Sequence, residues 1–360
     1  MTRLRAVLPC LALAVGIALP GPGGEQARAG EEPVGTTVRV LTRNIYLGCA
    51  LEPVMDAMLG GTPEDVVAAA SGAWAQLHAT DIETRAGALA DEIAAGGPDL
   101  VGLQEAALWR VQFPSDAASA RPRPARMVEF DFVRVLLRAL RERGLRYRAV
   151  CEQEGLDVEM PVVTEQGLAD ARFTDRDVIL ARNGIVTSRP RHGNFAAAVP
   201  LPGLTLVRSW TSVDARVGGA RFRFISTHLE DGIEEAQLGQ VAELLAGPAA
   251  TDLPVVLAGD FNSDAENAYS PAVRGAVLDG GFTDAWASVR PLDPGLTWGH
   301  DASLANPADA FTLRLDYVFT RGGATATDAE LTGLSMAGGL WPSDHDGLAV
   351  TVELPRGRRP

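Results

Sequence analysis

Hydrophobic and polar positions along the chain follow two periods, one typical of strands and one typical of helices. Thr37–Thr42 reads T-V-R-V-L-T, an alternation that predicts a half-buried strand. Glu83–Ala95 repeats apolar residues at helical spacing, and the Gly-Gly-Pro that follows predicts its end. Asp99–Gln104 and Leu253–Ser263 contain short apolar runs that predict buried strands. The mixture of both periods predicts an α/β fold.

The same rules locate the remaining elements. Met127–Arg143 carries apolar residues on one side and arginines opposite, which predicts one helix ended by Gly144. Glu52–His78 is predicted to be helical in parts, and further helices are predicted at Glu234–Ala246 and Ala268–Asp279. Strands are predicted at eight other stretches: Tyr147–Cys151, Asp157–Val163, Asp177–Ala181, Gly184–Ser188, Leu204–Val213, Arg221–Thr227, Phe311–Thr320 and Leu348–Leu354.

The first residues have the pattern of a secretory signal peptide. Arg3 and Arg5 precede an apolar segment, and Ala27–Ala29 offers small residues at a cleavage site. We expect residues 1–29 to be cut off after Ala29, and residues 30–360 to be secreted as one domain that is monomeric. The apolar segment is too short for a membrane anchor, and no later apolar run reaches the length of a transmembrane helix.

Composition narrows the classes of protein that fit. The 360 residues are 46% hydrophobic, which supplies material for a large core. The formal net charge is −14, which argues against a non-specific grip on nucleic acid, because that affinity comes from clustered Lys and Arg. A local basic groove stays compatible with this charge. Cys49 and Cys151 follow the signal peptide, and the sequence leaves open whether they pair or stay as free thiols.

Polar residues with useful chemistry stand at the ends of several predicted strands. Leu253–Ser263 ends in Gly-Asp-Phe-Asn-Ser, which places Asp260 and Asn262 on the same side of an extended backbone. Such a run can equally be a simple turn, since Asp and Asn bond to their own backbone. His228 emerges from its strand on the face that carries two phenylalanines, where a packed core histidine is the plainer alternative. Other residues of the chain are needed to decide whether these positions form turns and core contacts or a functional site.

Four more positions have similar settings. Asp316 lies within an apolar stretch, where an unpaired charge would be too costly, so it needs a partner. Ser-Asp-His at 343–345 precedes the final strand, and Asn44 and Glu105 each follow a predicted strand. Taken singly, each could be a cap or a loop residue. His300 is a weak candidate for substrate contact. Three histidines without such settings are predicted to be surface or loop residues: His78, His192 and His300.

In this order and at these strand ends, the residues resemble the motifs of the endonuclease/exonuclease/phosphatase family, the DNase I-like phosphoesterases. The resemblance covers about Val38 to Leu354. It implies a four-layer α/β sandwich, in which two mixed sheets pack face to face with helices outside and the site lies at one end of the sheets. The motifs are, in chain order, Asn44, Gln104-Glu105, Ser226–Leu229, Gly259–Asn262, Asp316-Tyr317 and Ser343–His345.

The resemblance also implies a metal site and a water-activating group. Asn44 and Glu105 would hold a divalent ion, with Asp344 beside the metal or supporting His345. Oxygen ligands of this kind suit Mg²⁺, and Mn²⁺ or Ca²⁺ are alternatives. Asp260 would orient or deprotonate the attacking water. The general base is left divided between Asp260 and His345.

Further roles concern the phosphate and the histidines. By resemblance, His228 and His345 would contact the scissile phosphate from opposite sides, and Asn262 would fix water or phosphate. Asp316 would pair with His345, which would fix its tautomer and raise its pKa. Asp177 is a candidate for the same role toward His228, with a plain strand-edge charge as the alternative.

Two departures from the family pattern bear on the substrate. Gly48–Thr80 forms a large insertion close to Asn44, and the chain is acidic where DNA-binding members carry basic contact loops. Both favour a small-molecule or lipid phosphoester, with nuclease action on nucleic acid as the alternative. A non-catalytic binding protein of the same fold is less favoured, because none of the core site residues is missing. The sequence does not distinguish a phosphomonoester from a phosphodiester.

Overall fold

A computed structural model describes residues 35–264 and 266–355. The predicted signal peptide, residues 1–29, lies outside the described residues. The described part contains these strands: β1 (Thr36–Asn44), β2 (Leu100–Gln104), β3 (Leu108–Gln112), β4 (Met127–Asp131), β5 (Tyr147–Thr164), β6 (Gly167–Arg182), β7 (Val186–Asn194), β8 (Val199–Leu201), β9 (Leu204–Leu206), β10 (Ser209–Val217), β11 (Ala220–His228), β12 (Val255–Asp260), β13 (Thr283–Asp284), β14 (Asp316–Arg321), β15 (Thr325–Thr332) and β16 (Gly347–Leu354). The helices are α1 (Glu52–Gly60), α2 (Pro63–Ala79), α3 (Ile82–Gly96), α4 (Phe132–Glu142), α5 (Glu234–Ala246), α6 (Pro271–Asp279) and α7 (Ala285–Val289).

Most of the strands form two large mixed sheets. The first sheet has the order β15-β16-β1-β2-β6-β3-β4, and β5 also pairs with β6. The second sheet has the order β13-β14-β12-β11-β10-β7, while β8 and β9 form a separate pair. β1 runs parallel to β2, and β11 runs parallel to β12. Their carboxyl ends therefore collect polar loops at one edge of each sheet.

Hydrophobic side chains divide the molecule into four layers. Between the sheets, Val40 and Val350 of the first sheet pack in one cluster with Phe222, Phe224 and Val318 of the second. Another cluster joins the outer face of the first sheet to α2, α3 and α4, and a third joins the second sheet to α5 and α6. Each fully buried phenylalanine contributes roughly 1.5–3 kcal/mol relative to exposure. The predicted four-layer α/β sandwich is confirmed.

The prediction of a single helix over Met127–Arg143 is wrong in its first part. Met127–Asp131 forms β4, which pairs with β3, and α4 begins at Phe132. The Asp131 carboxylate accepts a hydrogen bond from the backbone N–H of Arg134 at 3.3 Å and so caps α4. Phe130 packs against the same cluster as α4, which explains why the apolar pattern continued into the strand.

Several other boundaries differ from the predictions. Tyr147–Cys151 and Asp157–Val163 are parts of one strand, β5, whose register shifts between them. The predicted strand Leu204–Val213 is divided between β9 and β10. The predicted helix at 268–279 begins only at Pro271, and the predicted strand at 311–320 begins only at Asp316. The strands β3, β8, β13 and β15 were not predicted.

The stretch predicted as an insertion, Gly48–Thr80, forms α1 and α2. Trp74 and Leu77 of α2 pack into the cluster outside the first sheet, and the Gln76 amide donates to the Ala302 carbonyl at 2.8 Å. Within the described residues, none of the helices is both long and apolar enough to cross a membrane. The thiols of Cys49 and Cys151 are both free and buried, so the two do not form a disulfide.

Candidate active site

Three of the predicted site residues form a row across the second sheet. His228 at the end of β11 lies opposite Asp260 of β12, and Asp260 lies opposite Asp316 of β14. Residues paired in this way project to the same face of a sheet. That face also carries Phe222 and Phe224, so the row extends the buried layer between the sheets and replaces its apolar side chains with polar ones.

His345 lies between two carboxylates of this row. Its Nδ1 is 2.8 Å from Oδ2 of Asp316, and its Nε2 is 3.6 Å from Oδ2 of Asp260. Burial disfavours the charged ring, but the carboxylates of Asp316, Asp260 and Asp344 outweigh it and raise the pKa of His345 to about 10. His345 therefore keeps its proton at neutral pH.

His228 has the opposite surroundings. Its Nε2 lies 3.2 Å from Nδ2 of Asn262 and 3.6 Å from Oδ2 of Asp260. Nη1 of Arg208 lies 3.2 Å from Nδ1 and 3.1 Å from Nε2 of the ring. Burial, reinforced by the positive charges of Arg208 and His345, holds the pKa of His228 well below its usual value. His228 is therefore neutral at neutral pH.

Asp260 occupies the centre of the arrangement. Its carboxylate accepts hydrogen bonds from the backbone N–H of Asn262 at 3.0 Å and from Nδ2 of Asn44 at 3.1 Å. Burial raises the pKa of Asp260 to about 7, and the charge of His345 opposes this rise. The bond from Asn262 closes a turn in which Asn262 has a φ of 47°. Gly-Asp-Phe-Asn-Ser is thus both a turn and part of the site.

The ends of β1 and β2 supply an oxygen-rich pocket. Oε1 of Glu105 accepts from Nδ2 of Asn44 at 3.0 Å, and Oε2 accepts from the backbone N–H of Leu47 at 2.8 Å. Burial, with the negative charges of Asp344 and Asp175, raises the pKa of Glu105 to about 8. Crowded carboxylates of this kind favour a bound cation. The carboxylate oxygens of Glu105 fit a hard divalent ion. Asn44 faces them with its Nδ2, and its Oδ1 accepts from the backbone N–H of Tyr46 at 2.9 Å.

A second group of atoms could also hold an ion. Carboxylate oxygens of Asp260 and Asp316 and a ring nitrogen of His345 lie within 4.8 Å of one another. This group shares its residues with the charged imidazole described above. The site therefore offers two places for a metal, one at Glu105 and one around His345.

The family assignment rests on the sequence. The model of the Endonuclease/Exonuclease/phosphatase family matches residues 70–345, well over half of the chain. This chain belongs to the endonuclease/exonuclease/phosphatase family. Members of this family are hydrolases that act on phosphoester bonds and depend on a metal ion.

Individual relatives add detail. Mouse tyrosyl-DNA phosphodiesterase 2 is 29% identical over 167 residues, which cover 43% of this chain and 44% of that protein. The match thus spans less than half the length of the curated relative. A family protein from Leptotrichia buccalis has a TM-score of 0.56 at 17% identity and covers 88% of this chain and 100% of its own. A family protein from Beutenbergia cavernae has a TM-score of 0.55 at 22% identity, and the match covers 89% of this chain and 72% of that one. These structures show the shared fold.

One sequence expectation about the site, the role of Asp177, does not hold. Asp177 is buried and accepts a hydrogen bond from Oγ of Ser209, and within the described residues it makes no hydrogen bond to His228. His300 lies in a loop as expected, but it is buried rather than at the surface, and its ring stacks on Trp341 with centroids 4.0 Å apart. The expectation of surface positions is confirmed for two histidines, His78 and His192.

Arg208 is the functional candidate that the sequence did not reveal. Its Nε lies 3.5 Å from Oε1 of Glu230 and its Nη1 lies 3.8 Å from Oδ2 of Asp175, so acidic groups hold it beside His228. The neighbouring residue, Ser209, lies opposite His228 in the pairing of β10 and β11. Only this register, which sequence periodicity does not give, brings Arg208 to the site.

A polar contact also joins the two sheets beneath the site. Nε2 of Gln104 donates to Oγ of Ser226 at 3.0 Å, and Oγ1 of Thr42 donates to Oε1 of Gln104 at 3.2 Å. A Cβ at Gly102 would lie 2.5 Å from Oγ of Ser226, so glycine is needed for this close approach. The oxygen-rich pocket at the ends of β1 and β2 is thereby held against the row of the second sheet.

Proposed function

We propose that this protein is a secreted, Mg²⁺-dependent enzyme that hydrolyses a phosphodiester or phosphomonoester by attack of water. One observation carries the proposal. Asp260 lies 3.6 Å from each of two histidines that differ in charge, His228 and His345. Groups whose surroundings separate their proton affinities in this way are suited to divided acid and base roles. The signal-peptide pattern supports secretion.

Asn44 and Glu105 would hold the metal, with Asp344 beside it. A bound ion would polarise a phosphoryl oxygen and neutralise developing negative charge. Mg²⁺ is favoured because the available ligand atoms are oxygens, and Mn²⁺ or Ca²⁺ would use the same atoms. The alternative place around His345 is less suitable, because its Nδ1 is already engaged by Asp316.

We assign the general base to Asp260 rather than to His345. His345 is held protonated between carboxylates, so it has no free nitrogen to accept a proton and instead supplies positive charge to the phosphoryl oxygens. Asp260 is a carboxylate that can take a proton from water, and Asn44 and Asn262 fix its orientation. His228, being neutral, would contribute a hydrogen bond to the phosphate from the other side.

The favoured substrates are small-molecule or lipid phosphoesters. The acidic composition and the helices α1 and α2, which follow directly after the metal pocket, support this choice. A nucleic-acid-linked phosphodiester is the second candidate, and the similarity to mouse tyrosyl-DNA phosphodiesterase 2 favours it. A screen of phosphomonoesters, sphingomyelin, single-stranded DNA and plasmid DNA separates the two.

The test of the chemistry uses bis-p-nitrophenyl phosphate and the p-nitrophenyl monoester. We expect Mg²⁺-dependent release of p-nitrophenol, loss of activity with EDTA, and recovery when Mg²⁺ is restored. Asp260→Ala should lower kcat by roughly 10²–10⁴-fold, the range for loss of a general base. Undiminished hydrolysis by Asp260→Ala would contradict the mechanism, and inactivity of the wild type on the whole panel would contradict the proposed function.

A further inference from the structure

An open cavity of about 370 Å³ lies on the second sheet, away from the catalytic row. Asp214, one of its lining residues, is five positions along β10 from Ser209, which lies opposite His228. At ~3.3 Å per residue this is roughly 17 Å from the row. We call this space the arginine cavity, and its lining residues are Val186, Ser188, Asp214, Ala215, Arg216 and Arg221.

One buried carboxylate holds several guanidinium groups at this cavity. Asp214 is 1% exposed and receives Nε and Nη2 of Arg223, each at 2.8 Å. Nη2 of Arg221 lies 3.3 Å from the same carboxylate, and Nη1 of Arg189 lies 3.9 Å away. Arg223 is itself buried and neutralises Asp214. The charges of the other arginines are therefore left in excess, in a chain whose net charge is −14.

The strand register adds a like-charged pair. Arg216 of β10 lies directly opposite Arg221 of β11. Like charges in such cross-strand positions destabilise a sheet unless another charge compensates them. Within the described residues, Arg216 makes no ion pair and Arg221 shares Asp214 with Arg223. A bound anion would supply the missing negative charge to both lining arginines.

Protection of a sheet edge is the simpler alternative. Exposed charged residues on an edge strand discourage pairing with another chain. That role suits Arg189 and Arg191 on β7, which is the edge of the sheet. It does not account for Arg216 and Arg221, because they lie on the inner strands β10 and β11 and line a hollow.

We propose that the arginine cavity binds a phosphate group. Arg216 and Arg221 would be the binding cations, since guanidinium groups pair with phosphate through two parallel hydrogen bonds. The hydroxyl of Ser188 would be a further donor from β7. Asp214 also lines the cavity, and its role is to hold Arg221 and Arg223 in place with its own charge neutralised. The phosphate could be free in solution or belong to an extended phosphodiester chain.

The test measures binding of inorganic phosphate by titration calorimetry, with EDTA present and ionic strength held constant. The wild-type chain is compared with Arg216→Ser/Arg221→Ser and with the control Arg134→Ser/Arg141→Ser, which removes the same charge from exposed positions of α4. We expect the cavity variant to lose one phosphate site, or to bind there at least about tenfold more weakly, while the control stays unchanged. Exposed Arg216 also allows a single Arg216→Ser variant, expected to weaken binding at least about threefold even where the double variant folds poorly.

Phosphate binding with wild-type stoichiometry and affinity in the cavity variants would overturn the proposal. An equal loss in the α4 control would overturn it too, since the effect would then be bulk charge. A short single-stranded oligonucleotide distinguishes the two sources: its affinity falls in the cavity variant only if the site holds a phosphate of an extended chain. Hydrolysis of bis-p-nitrophenyl phosphate should be unchanged in these variants, so this test is separate from that of the proposed function.

Discussion

The two histidines on either side of Asp260 differ in their second charged neighbour and therefore in charge. His228 and His345 are both buried, and both lie 3.6 Å from Asp260. His345 also faces the carboxylate of Asp316, whereas His228 faces the guanidinium of Arg208. Burial alone would leave both rings neutral. The comparison teaches that the second neighbour, not the shared carboxylate, sets the protonation state of each ring.

The largest fall in kcat is expected when the protonated histidine, His345, is removed. His345→Ala takes away the positive charge between Asp260 and Asp316 and leaves two buried carboxylates facing each other. We expect kcat on bis-p-nitrophenyl phosphate to fall by roughly 10²–10⁴-fold, with the far-ultraviolet circular dichroism of the wild type retained. A rate close to that of the wild type would remove His345 from the mechanism.

A smaller fall in kcat is expected when only Asp316, the partner of His345, is changed. Asp316→Asn keeps the size of the side chain but removes the charge that favours the imidazolium. The pKa of His345 should then fall from about 10, and kcat should drop by less than in His345→Ala, because the imidazole is still present. The pH dependence of kcat is the measurement. If the alkaline limb of the profile does not move toward lower pH, Asp316 acts only as a structural contact.

The smallest effect, a change in the pKa of one ring, is expected at the neutral histidine, His228. In metal-free protein, nitrogen-detected NMR should show His345 protonated up to about pH 10 and His228 neutral at pH values well below its ordinary pKa. Arg208→Met removes a neighbouring positive charge, so the pKa of His228 should rise while that of His345 stays in place. Arg134→Met, at an exposed position, is the matched control. An unmoved His228 would mean that burial alone keeps it neutral.

The sequence supported those parts of the site that depend on local geometry. Asp260 at the end of β12, Asn44 at the end of β1 and Glu105 directly after β2 all follow from where the apolar runs end. Asn262 was expected on an extended backbone, but it lies in the turn beyond β12 with a φ of 47°. The pairing of Asp316 with His345 was predicted from the family resemblance. The structure places Nδ1 of His345 2.8 Å from Oδ2 of Asp316.

The parts that could not be predicted depend on pairing between distant strands. Arg208 reaches His228 only through the register of β10 and β11, which no local pattern encodes. Asp177 failed as a partner for His228 because it is used by Ser209 across the two sheets. In the fold, Phe130 extended a helical pattern into β4 because a strand residue and a helix face pack on the same cluster.

The contact between Gln104 and Ser226 has a consequence for how activity arises during folding. The proposed metal ligands Asn44 and Glu105 belong to the first sheet and the row of His228, Asp260 and Asp316 to the second, so neither sheet alone contains the whole proposed site. His345 lies just before β16, which pairs between β15 and β1. Under the proposed mechanism, a partly folded chain whose sheets have not docked should therefore be inactive toward phosphoesters.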